Sequence, residues 1–92
     1  MQKINVAHYK KTDANMYWNG GKILIYDTEV VLKNFFKRVA VFDKRTLEIK
    51  ELLNDTMGYR VVEISDADKS FECMFFSKDF EKLENALLNY LD

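Results

Sequence analysis

Two side chains with the chemistry of a nucleophile and a base stand far apart in this sequence. Cys73 is the only cysteine and His8 the only histidine in 92 residues. A catalytic thiol attacks as its thiolate and needs a base beside it, so the fold would have to bring these positions together. Neither residue lies in a nucleophile-elbow or oxyanion-hole motif, and Cys73 between Glu72 and Met74 is typical of a buried strand. The sequence therefore predicts that the protein is not an enzyme.

A second candidate for chemistry is the alternating series Asp66, Asp68, Ser70 and Glu72, which is spaced like the first ligands of a calcium loop. Such a loop needs Gly at its sixth position and Glu at its twelfth, where this chain has Phe71 and Ser77. We therefore interpret the segment as a solvated hairpin turn, and we expect neither a metal site nor any other cofactor.

The strongest candidate for a binding site is the basic and aromatic segment Lys33–Arg38. Because successive side chains of a strand point to opposite faces, Phe35 and Phe36 cannot both face the core. One ring, exposed among Lys33, Lys37 and Arg38, could enter a membrane interface or anchor a protein partner. Under the alternative interpretation one ring caps an end of the barrel and the cations are only solvated.

Tyr17 and Trp18 form a second aromatic pair, beside Asn19-Gly20-Gly21. Either ring could be a binding hot spot, or Trp18 could close the barrel from inside. A domain this small needs large side chains to bury enough area, so the sequence favours the core position for Trp18.

The overall composition predicts a single globular domain over residues 1–92, with 48% hydrophobic and 32% charged residues. Fourteen basic residues against fifteen acidic ones give a net charge of −1, which argues against a nucleic-acid partner. Apolar runs are far shorter than a membrane span, and the N-terminus lacks the apolar region of a signal peptide. With one cysteine there is no internal disulfide, and we expect a cytoplasmic protein.

Most of the chain has the pattern of short β-strands separated by turn residues. The predicted strands are Lys3 to about Lys11, Lys22–Asp27, a return strand from Val30, a strand marked by Val39, Val41 and Phe42, Tyr59–Ile64 and Ser70–Phe76. Asn19-Gly20-Gly21, Asp27-Thr28 and Asp66–Lys69 are predicted turns. Thr46–Leu53 fits a short helix about as well as a strand, and the strands on both sides favour a strand.

The C-terminal segment changes to a helical period from Lys78 onward. Its apolar residues are spaced three or four apart and form one stripe: Phe80, Leu83, Leu87, Tyr90 and Leu91. Ser77 is placed as an N-cap, and Asp79 puts a negative charge in the first turn, where the helix dipole favours it. We predict an amphipathic helix over about residues 78–91 that either lies on the sheet or plugs the open end of a barrel.

Several of these segments resemble the bacterial PH-like and GRAM-type domains of the pleckstrin-homology superfold. Ala14-Asn15, Gly21–Ile25 and Val30-Val31-Leu32 resemble the opening hairpin of that family, and Ser70–Phe75 with Ser77–Phe80 resembles its last strand and helix start. The likeness covers nearly the whole chain. Two features depart from the family: the acidic Asp27-Thr28-Glu29 replaces its usual turn, and the C-terminal helix lacks a tryptophan.

The resemblance implies a mainly β fold, with about seven antiparallel strands in a partly open barrel capped by a helix over about 78–91. It also implies a non-catalytic binding module. In PH-like folds the first strands share the rim that binds phosphoinositide head groups, so Lys10 and Lys11 are expected near the Lys33–Arg38 segment. Our leading expectation is association with a protein partner or with itself as a homo-oligomer. The alternative is weak binding of anionic lipid head groups at this basic and aromatic rim.

Overall fold

A computed structural model of the protein describes residues 2–10, 19–35, 37–54 and 58–91. In this part of the chain seven strands precede one helix. The elements are β1 (Gln2–Lys10), β2 (Asn19–Ile25), β3 (Glu29–Asn34), β4 (Arg38–Asp43), β5 (Glu48–Asn54), β6 (Tyr59–Ser65), β7 (Ser70–Phe76) and α1 (Ser77–Leu91). Predictions that concern Lys11, Tyr17, Trp18, Phe36 and the Ala14-Asn15 pair lie outside the described residues.

The strands form a single antiparallel sheet in the order β4-β3-β2-β1-β7-β6-β5. The sheet curls into a half-barrel, and α1 contacts β7, β1 and β6 across its concave side. The mainly β fold with seven antiparallel strands and one C-terminal helix is therefore confirmed. Most of the ambiguous segment Thr46–Leu53 belongs to a strand, β5, as its neighbours suggested.

The core lies between the concave face of the sheet and α1. Alternate residues of the strands point into it, because successive side chains of a strand face opposite ways. Its members are Ile4, Val6, Ile23, Ile25, Val30, Leu32, Ala40, Phe42, Val62, Ile64, Phe71, Cys73 and Phe75, joined by Phe80 and Leu83 from the helix. Leu24 and Val31 are also buried but do not belong to this cluster, so the convex outer face has apolar packing of its own.

The helix is tied to the sheet by Arg60 of β6 as well as by its apolar stripe. The guanidinium carbon of Arg60 lies 4.1 Å from the centre of the Phe80 ring. Its Nη1 donates to Glu84 Oε1 of α1 at 3.3 Å, and its Nη2 lies 3.0 Å from Glu51 Oε2 of β5. One side chain thus joins two strands to the helix. Within the described residues no helix is long and apolar enough to span a membrane.

The predicted turns at Asp27-Thr28 and Asp66–Lys69 are confirmed. Tyr26 N–H donates to the Glu29 carbonyl at 2.9 Å across the first, and Asp66 N–H donates to the Lys69 carbonyl at 3.0 Å across the second. The turn predicted at Asn19-Gly20-Gly21 is wrong, because all three residues belong to β2. Of the described residues, only Gly58 has positive φ, at 93°.

Gly21 does not form the turn that the sequence suggested, but leaves room for the neighbouring strand. A Cβ built on Gly21 would overlap the backbone carbonyl of Lys33 in β3 and would lie 3.1 Å from His8 Nε2. Glycine is therefore needed where another backbone approaches closely, which is a common reason for glycine inside a strand.

Candidate ligand-binding surface

The connection between β3 and β4 presents an aromatic ring at the surface. Asn34 N–H donates to the Lys37 carbonyl at 3.0 Å, and Lys37 N–H donates to Asn34 Oδ1 at 2.9 Å, so the connection is a closed turn. Phe35 lies at its tip with 79% of its surface exposed, the largest exposure among the described large hydrophobic residues. Its ring rests over Gly20, where an added Cβ would meet ring carbons at 3.5 and 3.7 Å.

Four of the residues proposed from sequence for the basic and aromatic rim lie together in or beside this connection: Lys33, Phe35, Lys37 and Arg38. Lys10 is the last residue of β1 and pairs with Phe71 of β7, and its side chain is not described. Lys11 and Phe36 are outside the described residues. The rim prediction thus stands as a prediction, with four of its seven members located.

The strand register places Lys22, which the sequence analysis did not select, beside two cations that it did select. Lys22 of β2 is directly opposite Lys33 of β3, and Lys33 pairs with Arg38 of β4 where the register between β3 and β4 shifts. We call these three residues the cation row. The predicted Asp27-Thr28 turn could have revealed Lys22. A two-residue turn at 27 and 28 sets the register of the hairpin, and in that register Lys22 lies opposite Lys33.

The cation row and its neighbours are unpaired in the part of the chain that the structure describes. None of Lys3, Lys22, Lys33, Lys37 and Arg38 has a carboxylate within ion-pair distance there. Like charges that are directly opposite on neighbouring strands repel each other and destabilise the sheet. The row is therefore a local cost to the fold that an approaching anion would relieve.

An apolar groove of about 350 Å³ crosses the outer face beside the row. Phe35 forms one wall. The other wall contains Phe76 and Tyr59, whose ring centres are 5.0 Å apart at an interplanar angle of 30°. Small side chains leave space between the walls, because Ala7 and Gly20 lie along the floor.

A second depression, of about 290 Å³, lies on the other side of Phe35. Lys3, Lys22 and Lys33 line it together with Leu24 and Tyr26, among other residues. Gly21, Lys22 and Phe35 line both concavities. We call the two concavities together the Phe35 surface, and it combines an apolar groove with adjacent positive charge.

A third depression lies at the β2–β3 and β4–β5 turns, and its charged residues, unlike those of the cation row, include ion pairs. It has a volume of about 530 Å³ and is lined by residues that include Glu29, Asp43 and Asp66. Asp43 Oδ2 accepts from Arg45 Nη2 at 2.8 Å, and Asp66 Oδ2 accepts from Lys69 Nζ at 2.7 Å. Hydrogen bonds from Arg45 lower the pKa of Asp43 to about 2. Two of these carboxylates thus have internal partners, in contrast with the cation row.

The fold brings His8 and Cys73 directly opposite each other on β1 and β7. Both are buried, with 2% and 0% of their surfaces exposed. Burial and the nearby Glu72 charge raise the pKa of the Cys73 thiol far above its ordinary value, so the thiolate is disfavoured. The His8 ring lies edge-on to Phe71, and its Nε2 is 3.4 Å from the Lys33 carbonyl oxygen. Both side chains are thus placed as parts of the core.

His8 should make stability depend on pH just below neutrality. Burial lowers its pKa below the ordinary 6.5, while the Lys33 carbonyl opposes that effect in part. The unfolded chain therefore binds a proton more readily than the native state, and stability falls as pH drops through 6.5 towards the folded pKa. Well above 6.5 the ring is neutral in both states and its contribution is constant. Urea unfolding midpoints across this range measure the effect.

The variant His8→Gln serves as the control for this prediction, since it retains a polar side chain but does not titrate. Its absolute stability is expected to differ from that of the wild type, so the two pH slopes are compared. An equal slope below 6.5 in both proteins would contradict the role assigned to His8. The low pKa of Asp43 affects stability only in a separate acidic range, below 3.8.

The sequence matches no protein-family model, and no curated protein is significantly similar to it. Among the described residues no group of three or more His, Cys, Asp and Glu side chains is arranged to hold a metal ion.

Proposed function

We propose that this chain is a non-catalytic binding module of the pleckstrin-homology superfold, of the bacterial GRAM type, and that it binds a protein partner through the Phe35 surface. The superfold assignment is supported by seven antiparallel strands followed by one helix, which is the arrangement that the sequence resemblance implies. A binding role without catalysis is supported by the burial of both His8 and Cys73. A single cysteine, which excludes an internal disulfide, suits a cytoplasmic location.

The exposure of Phe35 is the observation that carries this proposal. A large aromatic ring that is 79% exposed has a considerable apolar area in water, and here it adjoins a groove whose far wall is also aromatic. Aromatic residues beside a desolvated concavity are the usual energetic centres of protein interfaces. The hydrogen bonds between Asn34 and Lys37 close the turn that carries Phe35, which reduces the backbone entropy lost on binding.

Replacing Phe35 with serine is expected to weaken partner binding by about tenfold or more, the range typical of an interface hot spot. The protein is immobilised, and retention of its cellular partner is compared for wild type, Phe35→Ser and Leu52→Ser. Leu52 is a suitable control because it is an exposed apolar residue, at 41%, on β5 at the far end of the sheet order. Loss in Phe35→Ser with retention in Leu52→Ser supports the proposal.

Equal retention by both variants would show that the Phe35 surface is not the interface. Self-association is the special case in which the partner is a second copy of the chain. Sedimentation equilibrium over a range of concentrations detects it, and Phe35→Ser should then shift the protein towards monomer while Leu52→Ser does not. Because both substitutions are on the surface, thermal unfolding should be nearly unchanged in each.

A second candidate function, binding of anionic lipid head groups, is favoured by the unpaired cations beside the exposed ring. Each basic residue near an anionic membrane contributes about 1 kcal/mol, so Lys33, Lys37 and Arg38 with an inserted Phe35 could give weak attachment. Vesicles with and without acidic phospholipid test it. Binding that requires the acidic lipid, decreases with salt and is lost on charge reversal of Lys33, Lys37 and Arg38 would favour lipid over protein.

A further inference from the structure

The cation row is the part of the Phe35 surface whose role in binding a protein partner the proposed function does not specify. Lys22, Lys33 and Arg38 are paired in succession across three adjacent strands, with a register shift at Lys33, and no carboxylate of the described chain forms an ion pair with them. Such an arrangement weakens the sheet through like-charge repulsion. By contrast, the carboxylates Asp43 and Asp66 elsewhere on the molecule each have a basic partner. Charged side chains elsewhere on the molecule thus form ion pairs, whereas those of the cation row do not within the described chain.

The row and the apolar groove meet at one residue. Lys22 lines the groove between Phe35 and Phe76, and it also lines the depression that contains Lys3 and Lys33. If a ligand placed an apolar group in the groove, the adjoining part of the ligand would therefore lie beside Lys3, Lys22 and Lys33. Charge complementarity requires that part to be anionic.

We propose that the Phe35 surface binds an acidic peptide segment of a partner protein, in which an apolar anchor side chain is followed by a run of Asp or Glu. The anchor would occupy the groove between Phe35 and the Phe76–Tyr59 wall, and the carboxylates would lie along the cation row. This inference rests on the proposed function and specifies the chemistry of its partner.

The shape of the surface favours a peptide over a bilayer as the source of the negative charge. The Phe35 ring rests over Gly20 and forms the side of a concavity of about 350 Å³. This volume is near the lower end of the roughly 300–1,000 Å³ typical of ligand clefts. A concavity with aromatic walls suits a single anchor side chain, and a flat membrane surface could not fill it.

Two matched fluorescent peptides test the inference. One carries Phe followed by a run of Asp, and the other carries the same Phe followed by an equal run of Asn. Fluorescence anisotropy measures their affinities for wild type, Lys33→Glu, Phe35→Ser and the control Lys50→Glu, which changes an exposed cation on β5. We expect the Asp peptide to bind wild type about tenfold or more tightly than the Asn peptide, and rising salt to reduce the difference.

The variant Lys33→Glu separates a binding role from a structural one. It should remove the preference for the Asp peptide, yet its melting temperature should equal or exceed that of wild type, because it relieves the repulsion within the row. Lys50→Glu should leave peptide affinity unchanged. A Lys33→Glu protein that is folded and still prefers the Asp peptide would overturn the inference.

The remaining outcomes separate this inference from the proposed function. Equal binding of both peptides, lost in Phe35→Ser, would reject the acidic segment and retain the Phe35 surface as a protein-binding site. Peptide binding that is unaffected by Phe35→Ser would reject both the acidic-segment inference and the Phe35 surface as the protein-binding site. Vesicles of phosphatidylcholine with phosphatidylserine are added as a third probe, and their retention in the absence of any peptide binding would assign the cations to lipid and overturn the inference.

Discussion

Replacing Gly21 with alanine is expected to destabilise the protein by about 3 kcal/mol or more, at the upper end of the usual cost of overpacking. The added Cβ would overlap the carbonyl oxygen of Lys33 and would come within 3.0 Å of its carbonyl carbon. Both are backbone atoms of β3, so the clash cannot be relieved by rotating a side chain. The strands β2 and β3 would have to separate at the pair Gly21 and Asn34. For a domain of this size, each kcal/mol lowers the melting temperature by about 4–8 °C.

The neighbouring substitution Gly20→Ala is the matched control, because it adds the same methyl group one residue away in the same strand. Its Cβ would lie at ordinary contact distance from the Phe35 ring, at 3.5 and 3.7 Å. We expect a change in stability within about 0.5 kcal/mol, since alanine also lowers the entropy of the unfolded chain. Melting temperatures measured by circular dichroism compare the two variants. Equal stability of Gly20→Ala and Gly21→Ala would contradict the close approach of β3 to Gly21.

These two glycines show a limit of prediction from sequence. Asn19-Gly20-Gly21 has the composition of a tight turn, and the sequence analysis assigned one there. In the structure the segment is the start of β2, neither glycine has positive φ, and Gly21 serves the close approach of β3. Local composition cannot distinguish these two uses of glycine, because the second depends on a carbonyl group twelve residues further along the chain.

The Phe35 surface could be predicted in part from the sequence. The argument that adjacent Phe35 and Phe36 cannot both be buried identified an exposed ring, and Phe35 is exposed. The Phe76–Tyr59 wall was not identified, because it arises from the pairing of β6 with β7 and not from neighbouring positions in the chain. Strand patterns predict which faces residues occupy, but the order β4-β3-β2-β1-β7-β6-β5 determines which of them become neighbours.

The helix was the easiest element to predict, because its signal is local and repeated. Apolar residues spaced three or four apart indicated one buried stripe, and Phe80 and Leu83 are indeed buried in the core. Its attachment through Arg60 was not predicted, since that contact joins β6 to a segment 24 residues away. Whether a half-barrel of this size is stable depends on how much the helix contributes to its core.

Replacing Leu83 with alanine is therefore expected to cost about 3 kcal/mol, within the range for Leu-to-Ala changes in protein cores. Leu83 is fully buried, at 0% exposure, and lies in the core cluster between the helix and the sheet. Truncation removes apolar contacts and leaves a cavity that backbone elements on both sides cannot fill. A domain of this size has a total stability of only about 5–14 kcal/mol, so the loss is a large fraction of it. The melting temperature should fall by roughly 12–24 °C.

The matched control on the same helix is Glu81→Ala, which removes an exposed side chain while keeping helix propensity high. We expect Glu81→Ala to change the free energy of unfolding by no more than about 0.5 kcal/mol. Urea unfolding, followed by far-ultraviolet circular dichroism, reports both variants. If α1 covers the concave face as described, Leu83→Ala should lower the midpoint for the strands and the helix together in one transition. A helix that melted separately, with the sheet unchanged, would show that the half-barrel does not need α1 to remain folded.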